Sequence, residues 1–337
     1  MKFLVVGLGS MGKRRVRNLQ ALNEKEIAGF DPNEDRVKES NDKYDIPVFS
    51  DFQNAIDKFT PDVFIISTPP NLHMYYAYFA YENNIHCFIE ASVVDSQKIL
   101  ELTKKLKDKE LIIVPSTTMS YFPAPKKIKE LVSQNIIGKP LNFNYQSGQY
   151  LPDWHPWEKI EDFYVSNRDT GGCREIVPFE LTWINAIFGD AKPLACVKRK
   201  LTDMNANIDD IYHCLLEYKD GLIGNLTVEV VSRPKAVRDF RLIGTKGEIF
   251  YSADTNALKY INEDMKEWKV ISFEAGTIEN QYINPEEPYI NEVKDFVNAV
   301  KTKDKKSFPN SLEEDYKILN TLYDLEDLAG DNNDLSR

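Results

Sequence analysis

Near the start of the chain, Lys2-Phe3-Leu4-Val5-Val6 runs directly into Gly7-Leu8-Gly9-Ser10-Met11-Gly12. An apolar strand that enters G-x-G-x-x-G at the mouth of a helix is suited to hold a pyrophosphate. Gly7 permits the tight turn, Gly9 lets phosphates approach the backbone, and Gly12 lets the helix pack closely on the strand. Ser10 and Met11 complete the loop, where the N–H groups of the helix N-terminus face the anion. A second apolar run, Ile27-Ala28-Gly29-Phe30, ends in Asp31, 24 positions after Gly7. A carboxylate there accepts hydrogen bonds from ribose hydroxyls and repels a 2′-phosphate, which favours NAD over NADP. Asp31 also fits a turn former ahead of Pro32. The cluster Lys13, Arg14, Arg15 and Arg17 reads as a solvated helix face, or as a source of one guanidinium for a phosphate, which keeps NADP open.

The elements that must position these groups follow from the alternation of apolar runs and helical patterns over the first third of the chain, the mark of a parallel sheet with crossover helices. After the first two strands come a short one at Val48-Phe49 and the continuous run of residues 62–67, expected of a strand covered on both faces. Thr68-Pro69-Pro70 stops that strand, because two prolines cannot continue it. A helix over 72–82, a strand over 87–90, a charged helix over 96–107 and a strand over 111–115 follow. Beyond residue 120 the character changes. A helix near 125–133 ends at Ile137-Gly138-Lys139-Pro140. Alternating segments then fall at 141–149, 192–201, 211–218, 222–231, 238–243 and 247–251, with Lys219-Asp220-Gly221 as a hairpin turn. These predict a large, mostly antiparallel open sheet. Helices return at 289–301 and 312–328. The expected domains are 1–120, an α/β Rossmann unit, and 121–337, an α+β unit whose last helices pack back on the first.

At 337 residues the chain has room for two cores. Its hydrophobic content of 42% and charged content of 28% are ordinary for a soluble protein. A net charge of −11 argues against nucleic acid or a membrane surface as partner. No apolar stretch approaches the roughly 18 residues of a membrane span, and the N-terminus lacks signal-peptide character. Cys87, Cys173, Cys196 and Cys214 have no C-x-x-C spacing, so reduced, buried thiols and a cytoplasmic location are expected. The scattered histidines give no metal-ligand spacing.

With these pieces in order, the chain resembles the Gfo/Idh/MocA family of NAD(P)-dependent oxidoreductases over nearly its whole length. The resemblance rests on Gly7 to Gly12, Ser67-Thr68-Pro69-Pro70-Asn71-Leu72-His73, Glu90, Ile137-Gly138-Lys139-Pro140, Gly244-Thr245-Lys246-Gly247 and the late helix from Glu292 to Phe296. It implies hydride transfer at nicotinamide, often on sugars, inositols or nucleotide-linked sugars, and homodimers or homotetramers formed through the open sheet. It also implies that Thr68, Pro69, Asn71 and His73 line the cofactor and that Glu90 meets the nicotinamide ribose. His73 alternatively serves as a partly buried spacer at the start of its helix.

The pattern departs from the family at two places. Members usually carry Glu-Lys-Pro where this chain reads Glu90-Ala91-Ser92, and alanine has no proton to move. Their second motif, a glycine turn followed by Asp and then His four residues on, here reads Gly171-Gly172-Cys173-Arg174-Glu175-Ile176-Val177-Pro178-Phe179-Glu180. Glu175 falls on the Asp position and Phe179 on the His position. Hydride chemistry at a hydroxyl still needs an acid or base. The replacement candidates are His155, whose pKa is naturally near neutral, Tyr150 and Glu175. His155 beside Pro156 also fits a hydrogen-bonded structural histidine.

Tyr150, Asp153, Trp154 and His155 lie in an aromatic and polar loop, where rings stack on sugars and polar groups read hydroxyls. Tyr121 and Glu180 are further substrate contacts, although Tyr121 also fits packing below the site. Arg174 suits a carboxylate or phosphate on the substrate, or an ion pair with Glu175 or Asp169; Arg168 fits the ion pair better. The expected activity is NAD-dependent oxidation or reduction of a sugar, acidic or nucleotide-linked. The alternatives are an epimerase or eliminase that uses NAD transiently, and a catalytically silent NAD-binding regulator.

Overall fold

In β1 (Lys2–Val6), every residue from Phe3 onward is shielded from water on both faces of the sheet. The protein is described here by a computed structural model covering residues 1–91, 95–154, 159–162 and 164–330. It divides into two compact units: Met1–Tyr121 with Gly276–Tyr316, and Phe122–Ala275 with Lys317–Arg337. Elements are numbered along the whole chain.

The first unit holds β1, α1 (Ser10–Ala21), β2 (Glu26–Phe30), α2 (Glu34–Tyr44), β3 (Val48–Phe49) and α3 (Phe52–Phe59). It continues with β4 (Val63–Ile66), α4 (His73–Glu82), β5 (His86–Ile89), α5 (Ser96–Lys105) and β6 (Ile113–Pro115). The six strands are parallel in the order β3-β2-β1-β4-β5-β6. This is the doubly wound Rossmann arrangement, whose order reverses between β1 and β4. Asn33, Asp51 and Asp95 cap α2, α3 and α5 through their side chains. A late helix, α8 (Glu287–Thr302), belongs to this unit although it follows the second in sequence. Its Val293, Phe296 and Val297 join Phe3, Val5, Phe88 and Val114 in one core, with the Phe88 and Phe296 rings 5.5 Å apart.

The second unit begins with α6 (Pro123–Ser133) and β7 (Pro140–Gly148), followed by α7 (Cys173–Phe188), β8 (Lys192–Arg199), β9 (Ile211–Glu217) and β10 (Ile223–Glu229). Then come β11 (Val237–Gly244), β12 (Gly247–Ser252), β13 (Ala257–Asn262) and β14 (Lys269–Ser272), and α9 (Leu312–Ala329) belongs to this unit from Lys317 onward. The eight strands run β14-β13-β12-β11-β7-β10-β9-β8, with β7 and β10 parallel and every other neighbouring pair antiparallel. Lys219-Asp220-Gly221 does join β9 to β10, with Asp220 and Gly221 both at positive φ. The pair β13 and β14 extends the sheet beyond the last strand expected from sequence. β14 is short and largely exposed, so it lacks the alternation that marks a half-buried strand. Among the described residues, no helix is long and apolar enough to cross a membrane.

Candidate functional site

The register of the first sheet aligns the carboxyl ends of four strands. Val6 lies beside Phe30 on one side and Ile66 on the other, and Ile66 lies beside Ile89. The next residue on each strand is therefore Gly7, Asp31, Ser67 or Glu90, in a row along the edge where open α/β sheets bind ligands. Gly7 turns with φ +93°, and a Cβ there would lie 2.6 Å from the Ser67 carbonyl oxygen. A Cβ on Gly12 would lie 1.8 Å from the Gly7 carbonyl oxygen, so both glycines are demanded by packing. Gly9 differs. It has a negative φ of −67°, and a Cβ there would approach nothing closer than Arg36 Nη1 at 4.0 Å. Packing within the protein therefore does not demand glycine at position 9, and the space beside it fits the approach of a pyrophosphate. Gly9 is also the N-cap of α1 and supplies no side-chain cap, leaving the first-turn N–H groups to an anion.

Asp31 is almost fully buried. Its Oδ2 accepts from the Leu8 N–H at 2.8 Å, and its Oδ1 accepts from the Asn33 N–H at 2.9 Å. It thus shapes the turn at Pro32 and props the glycine loop, while a carboxylate keeps further lone pairs for ribose hydroxyls. In the turn after β4, Thr68 Oγ1 is buried without a hydrogen-bond partner among the described residues. An orphaned buried hydroxyl at this edge fits a cofactor that completes it. Ser10 and Met11 are half-buried in the first turn of α1, while Pro69 and Asn71 are exposed beside Thr68. His73 is buried and its Nε2 donates to the Thr68 carbonyl at 2.8 Å. Burial pushes its pKa down to about 4, so a neutral ring pins the turn.

The basic cluster on α1 is not a solvated face. Arg15 is fully enclosed and clamps Glu90 with Nε to Oε1 at 2.5 Å and Nη2 to Oε2 at 2.9 Å. Its Nη2 also donates to Glu292 of α8 at 2.9 Å. Glu292 further accepts from Ser116 Oγ, the Thr117 N–H and Thr118 Oγ1. Arg14 and Arg17 both reach Glu286, and Lys13 pairs with Glu39. Glu90, expected at the nicotinamide ribose, is therefore held rigidly by a buried guanidinium. The sequence did carry a signal for this: Gly12, Arg15 and Asn18 recur at i, i+3 and i+6 on the buried face of α1. Tyr121, expected at the substrate, is buried with its hydroxyl donating to Asp295 of α8 at 2.9 Å, the packing role also weighed for it.

In the second unit, the glycine turn before α7 is sterically required. A Cβ on Gly171 would lie 2.2 Å from Val165 Cα, and Gly172 has φ +63° against Ile208. The turn places Glu175 on the first turn of α7, where Oε1 accepts from the Tyr164 hydroxyl at 2.8 Å. Burial raises its pKa to about 7, against the opposing pull of that hydrogen bond. Arg174 forms a two-pronged pair with Glu326 of α9 at 2.8 and 3.1 Å and donates to the Asp169 carbonyl. It pairs with neither Glu175 nor the Asp169 carboxylate. Arg168 pairs with Asp209 at 2.6 Å.

Glu180 is fully buried and accepts from Tyr145, Ser147, Trp183 and Arg238. Four donors from its own unit surround the carboxylate expected at a substrate, and they tie α7 to β7 and β11. Tyr150 is half-buried under the Arg233 guanidinium, 4.0 Å from its ring centre. Asp153 is exposed, and Trp154 Nε1 is buried without a partner among the described residues. His155 lies outside the described residues.

One organising residue escaped the sequence reading. The Glu229 carboxylate accepts from the Val231 and Ser232 N–H groups at 2.8 Å and from the Ser232 hydroxyl. Its carbonyl accepts from the Gln149 N–H, which roots the loop carrying Tyr150. Among the described residues, no cluster of His, Cys, Asp or Glu could hold a metal ion.

Residues 1–117 match the oxidoreductase family with an NAD-binding Rossmann fold, and residues 126–250 match the GFO/IDH/MocA C-terminal domain. An uncharacterised oxidoreductase of Streptococcus pneumoniae is 27% identical over 143 residues, which span 42% of this chain and only 38% of that relative. Levoglucosan dehydrogenase in complex with NADH superposes with a TM-score of 0.82 at 17% identity, covering 98% of this chain and 96% of its own. UDP-N-acetylglucosamine 3-dehydrogenase from Acidithiobacillus ferrooxidans gives 0.76 at 16% identity, covering 97% of each chain. At such identities the superpositions establish the fold, and the two family matches establish the lineage. The chain belongs to the Gfo/Idh/MocA family of oxidoreductases, and its first unit is an NAD-binding Rossmann domain.

Proposed function

We propose that the protein interconverts a secondary alcohol and a keto group on a carbohydrate, with NAD as the hydride partner and Glu175 as the group that handles the proton. The observation that carries this reading is the Glu175 carboxylate, raised to about 7 by burial and hydrogen-bonded to Tyr164 on the first turn of α7. A general acid–base works best with a pKa near the operating pH. Bound NAD supplies the acceptor for the hydride. As the alcohol is oxidised, its O–H proton passes to the Glu175 carboxylate; in reduction, Glu175 returns it. This route makes up for Ala91 and Phe179, which stand where the family usually has its lysine and histidine. His155 and Tyr150 are the other groups able to move that proton.

The sugar dehydrogenases with this fold support a carbohydrate substrate. The unpartnered Trp154 Nε1 and the Asp153 carboxylate suit sugar hydroxyls. With Arg174 committed to Glu326, the cation for an acidic or nucleotide-linked sugar is Arg233, which has no carboxylate partner among the described residues and stacks on Tyr150. The same reading includes a homo-oligomer formed through the outer face of the second sheet, where Val197, Leu215, Ile243 and Val270 are exposed.

Absorbance of NADH during a screen of sugars and nucleotide sugars with NAD and NADP tests the activity. Tight NAD binding with no turnover on any of them would favour the silent reading that Ala91 and Phe179 suggest. On an active substrate, the rate of alcohol oxidation rises with pH through about 7, as Glu175 loses its proton. Glu175→Gln should lose that limb and roughly 100- to 10,000-fold in rate. A mutant that keeps both would remove Glu175 from the mechanism, leaving His155→Ala and Tyr150→Phe to be tried. The raised pKa also acts on stability. The fold favours the protonated form, so its contribution is present below the ordinary carboxylate range and is lost as pH rises through about 7. Melting curves of Glu175→Gln should lack that loss.

A further inference from the structure

Two of the four cysteines face each other across neighbouring strands. β8 is the outermost strand of its sheet and runs antiparallel to β9, and the register sets Cys196 directly opposite Cys214. Directly opposed residues in such a pair have Cα atoms about 4.5–5.5 Å apart. That spacing lies inside the roughly 4.4–6.8 Å that a disulfide spans. Both side chains lie on the buried face, with Cys196 keeping 6% exposure at the sheet edge and Cys214 none. Cys87 stands opposite Phe64 and Ile113 in the other sheet, and Cys173 opens α7, so neither faces a cysteine across a ladder.

The two thiols are also chemically unequal. A hydrogen bond from Cys214 lowers the Cys196 pKa below the ordinary thiol range against the effect of burial, with the Lys198 ammonium helping. The same contact, together with burial, holds Cys214 well above that range. The other charged groups acting on Cys196 are Glu326 and Asp209, which are themselves paired with Arg174 and Arg168. A thiolate-prone cysteine next to a protonated partner is the arrangement of a nucleophile and a resolving thiol.

We propose that Cys196 and Cys214 are a redox modification site that closes into a reversible cross-strand disulfide on reaction with a hydroperoxide. The Cys196 thiolate attacks the peroxide oxygen, the O–O bond breaks, and the leaving oxygen departs as water or an alcohol after taking up a proton. The Cys196 sulfenic acid that results is attacked by Cys214, whose proton leaves with the hydroxyl as water. Two thiols are oxidised by two electrons, and one peroxide is reduced. A dithiol reverses the bridge by exchange. The bridge encloses residues 197–213, the loop in which Asp210 holds the Leu201 and Thr202 N–H groups and Ile208 packs against Gly172 ahead of Glu175. Oxidation thus stiffens the segment that supports the first turn of α7.

The test treats the full-length protein with hydrogen peroxide, alkylates the remaining thiols, and maps unreduced peptides by mass. Wild type is compared with Cys196→Ser, Cys214→Ser and Cys173→Ser. The expected result is one peptide pair joined through positions 196 and 214, and the loss of two of the four alkylatable thiols. Dithiothreitol should restore both, and the oxidised protein should melt a few degrees higher. Cys173→Ser should behave as wild type, and neither variant at 196 or 214 should form the bridge. Four thiols that remain alkylatable, a bridge through Cys87 or Cys173, or oxidation of Cys196 that stops at the sulfinic acid would each overturn the proposal. The wild-type peptide map decides the matter even if a serine variant fails to fold.

Discussion

Glu292→Ala is expected to destabilise the Rossmann unit by about 3–5 kcal/mol, the usual consequence of removing one partner from a buried ion pair. Arg15 is fully enclosed, and Glu292 shares its charge with Glu90 while accepting from Ser116, Thr117 and Thr118. Alanine leaves a buried guanidinium with half its compensation, and three further donors lose their acceptor. Burial raises the Glu292 pKa, but Arg15 and the hydroxyl donors act to keep the carboxylate ionised. Denaturant unfolding followed by probes in this unit measures the loss. Glu292→Gln, which keeps an acceptor oxygen, should fall between alanine and wild type. An unchanged midpoint for alanine would mean that Arg15 has other compensation.

Gly9→Val should leave the fold intact and weaken NAD binding about 100-fold or more. The φ of −67° at Gly9 suits any residue, and a Cβ there meets only the tip of the Arg36 side chain at 4.0 Å, so valine costs the folded chain little. Its branched side chain instead occupies the ground over the uncapped N-terminus of α1, where pyrophosphate oxygens meet N–H groups. Hydrogen bonds to a charged group contribute about 1.5–3 kcal/mol each, and 1.4 kcal/mol is tenfold in affinity. Gly12→Ala is the contrasting change. Its Cβ would lie 1.8 Å from the Gly7 carbonyl, so it should lower the melting temperature of the apoprotein itself. Calorimetric titration with NAD and a thermal melt without it separate the two effects. Equal NAD affinity in Gly9→Val would place the pyrophosphate elsewhere.

The fold was legible because its signals are local. Continuous apolar runs gave the covered strands of the first sheet, and alternation gave the strands of the second that have one shielded face, such as β7 with Phe143, Tyr145 and Ser147 buried. β14 escaped because it is short and largely exposed at the sheet's edge, where too little is buried to leave a pattern. β13 does alternate, with Leu258 and Tyr260 buried, and was passed over in the sequence. The candidate site was legible on the cofactor side only. Glycines answer to sterics within a few residues, so Gly7, Gly9 and Gly12 announce their roles in the sequence. Charged residues answer to whichever partner the fold brings to them. The cluster from Lys13 to Arg17 looked solvated because nothing nearby in sequence pairs with Arg15.

The sequence by itself therefore determined the strand, glycine turn and helix of an NAD-binding Rossmann domain, and Asp31 at the end of the next strand. Tertiary structure decided which partner each buried charged or polar group finds. Arg15 is spent on Glu292 across 277 residues, Arg174 on Glu326 across 152, and Tyr121 on Asp295 across 174. Glu175 is enclosed beside the Tyr164 hydroxyl, and burial raises its pKa to about 7. The physical reason is desolvation: a buried charge must find a partner wherever the chain supplies one, and that distance is set by the fold and not by spacing along the sequence.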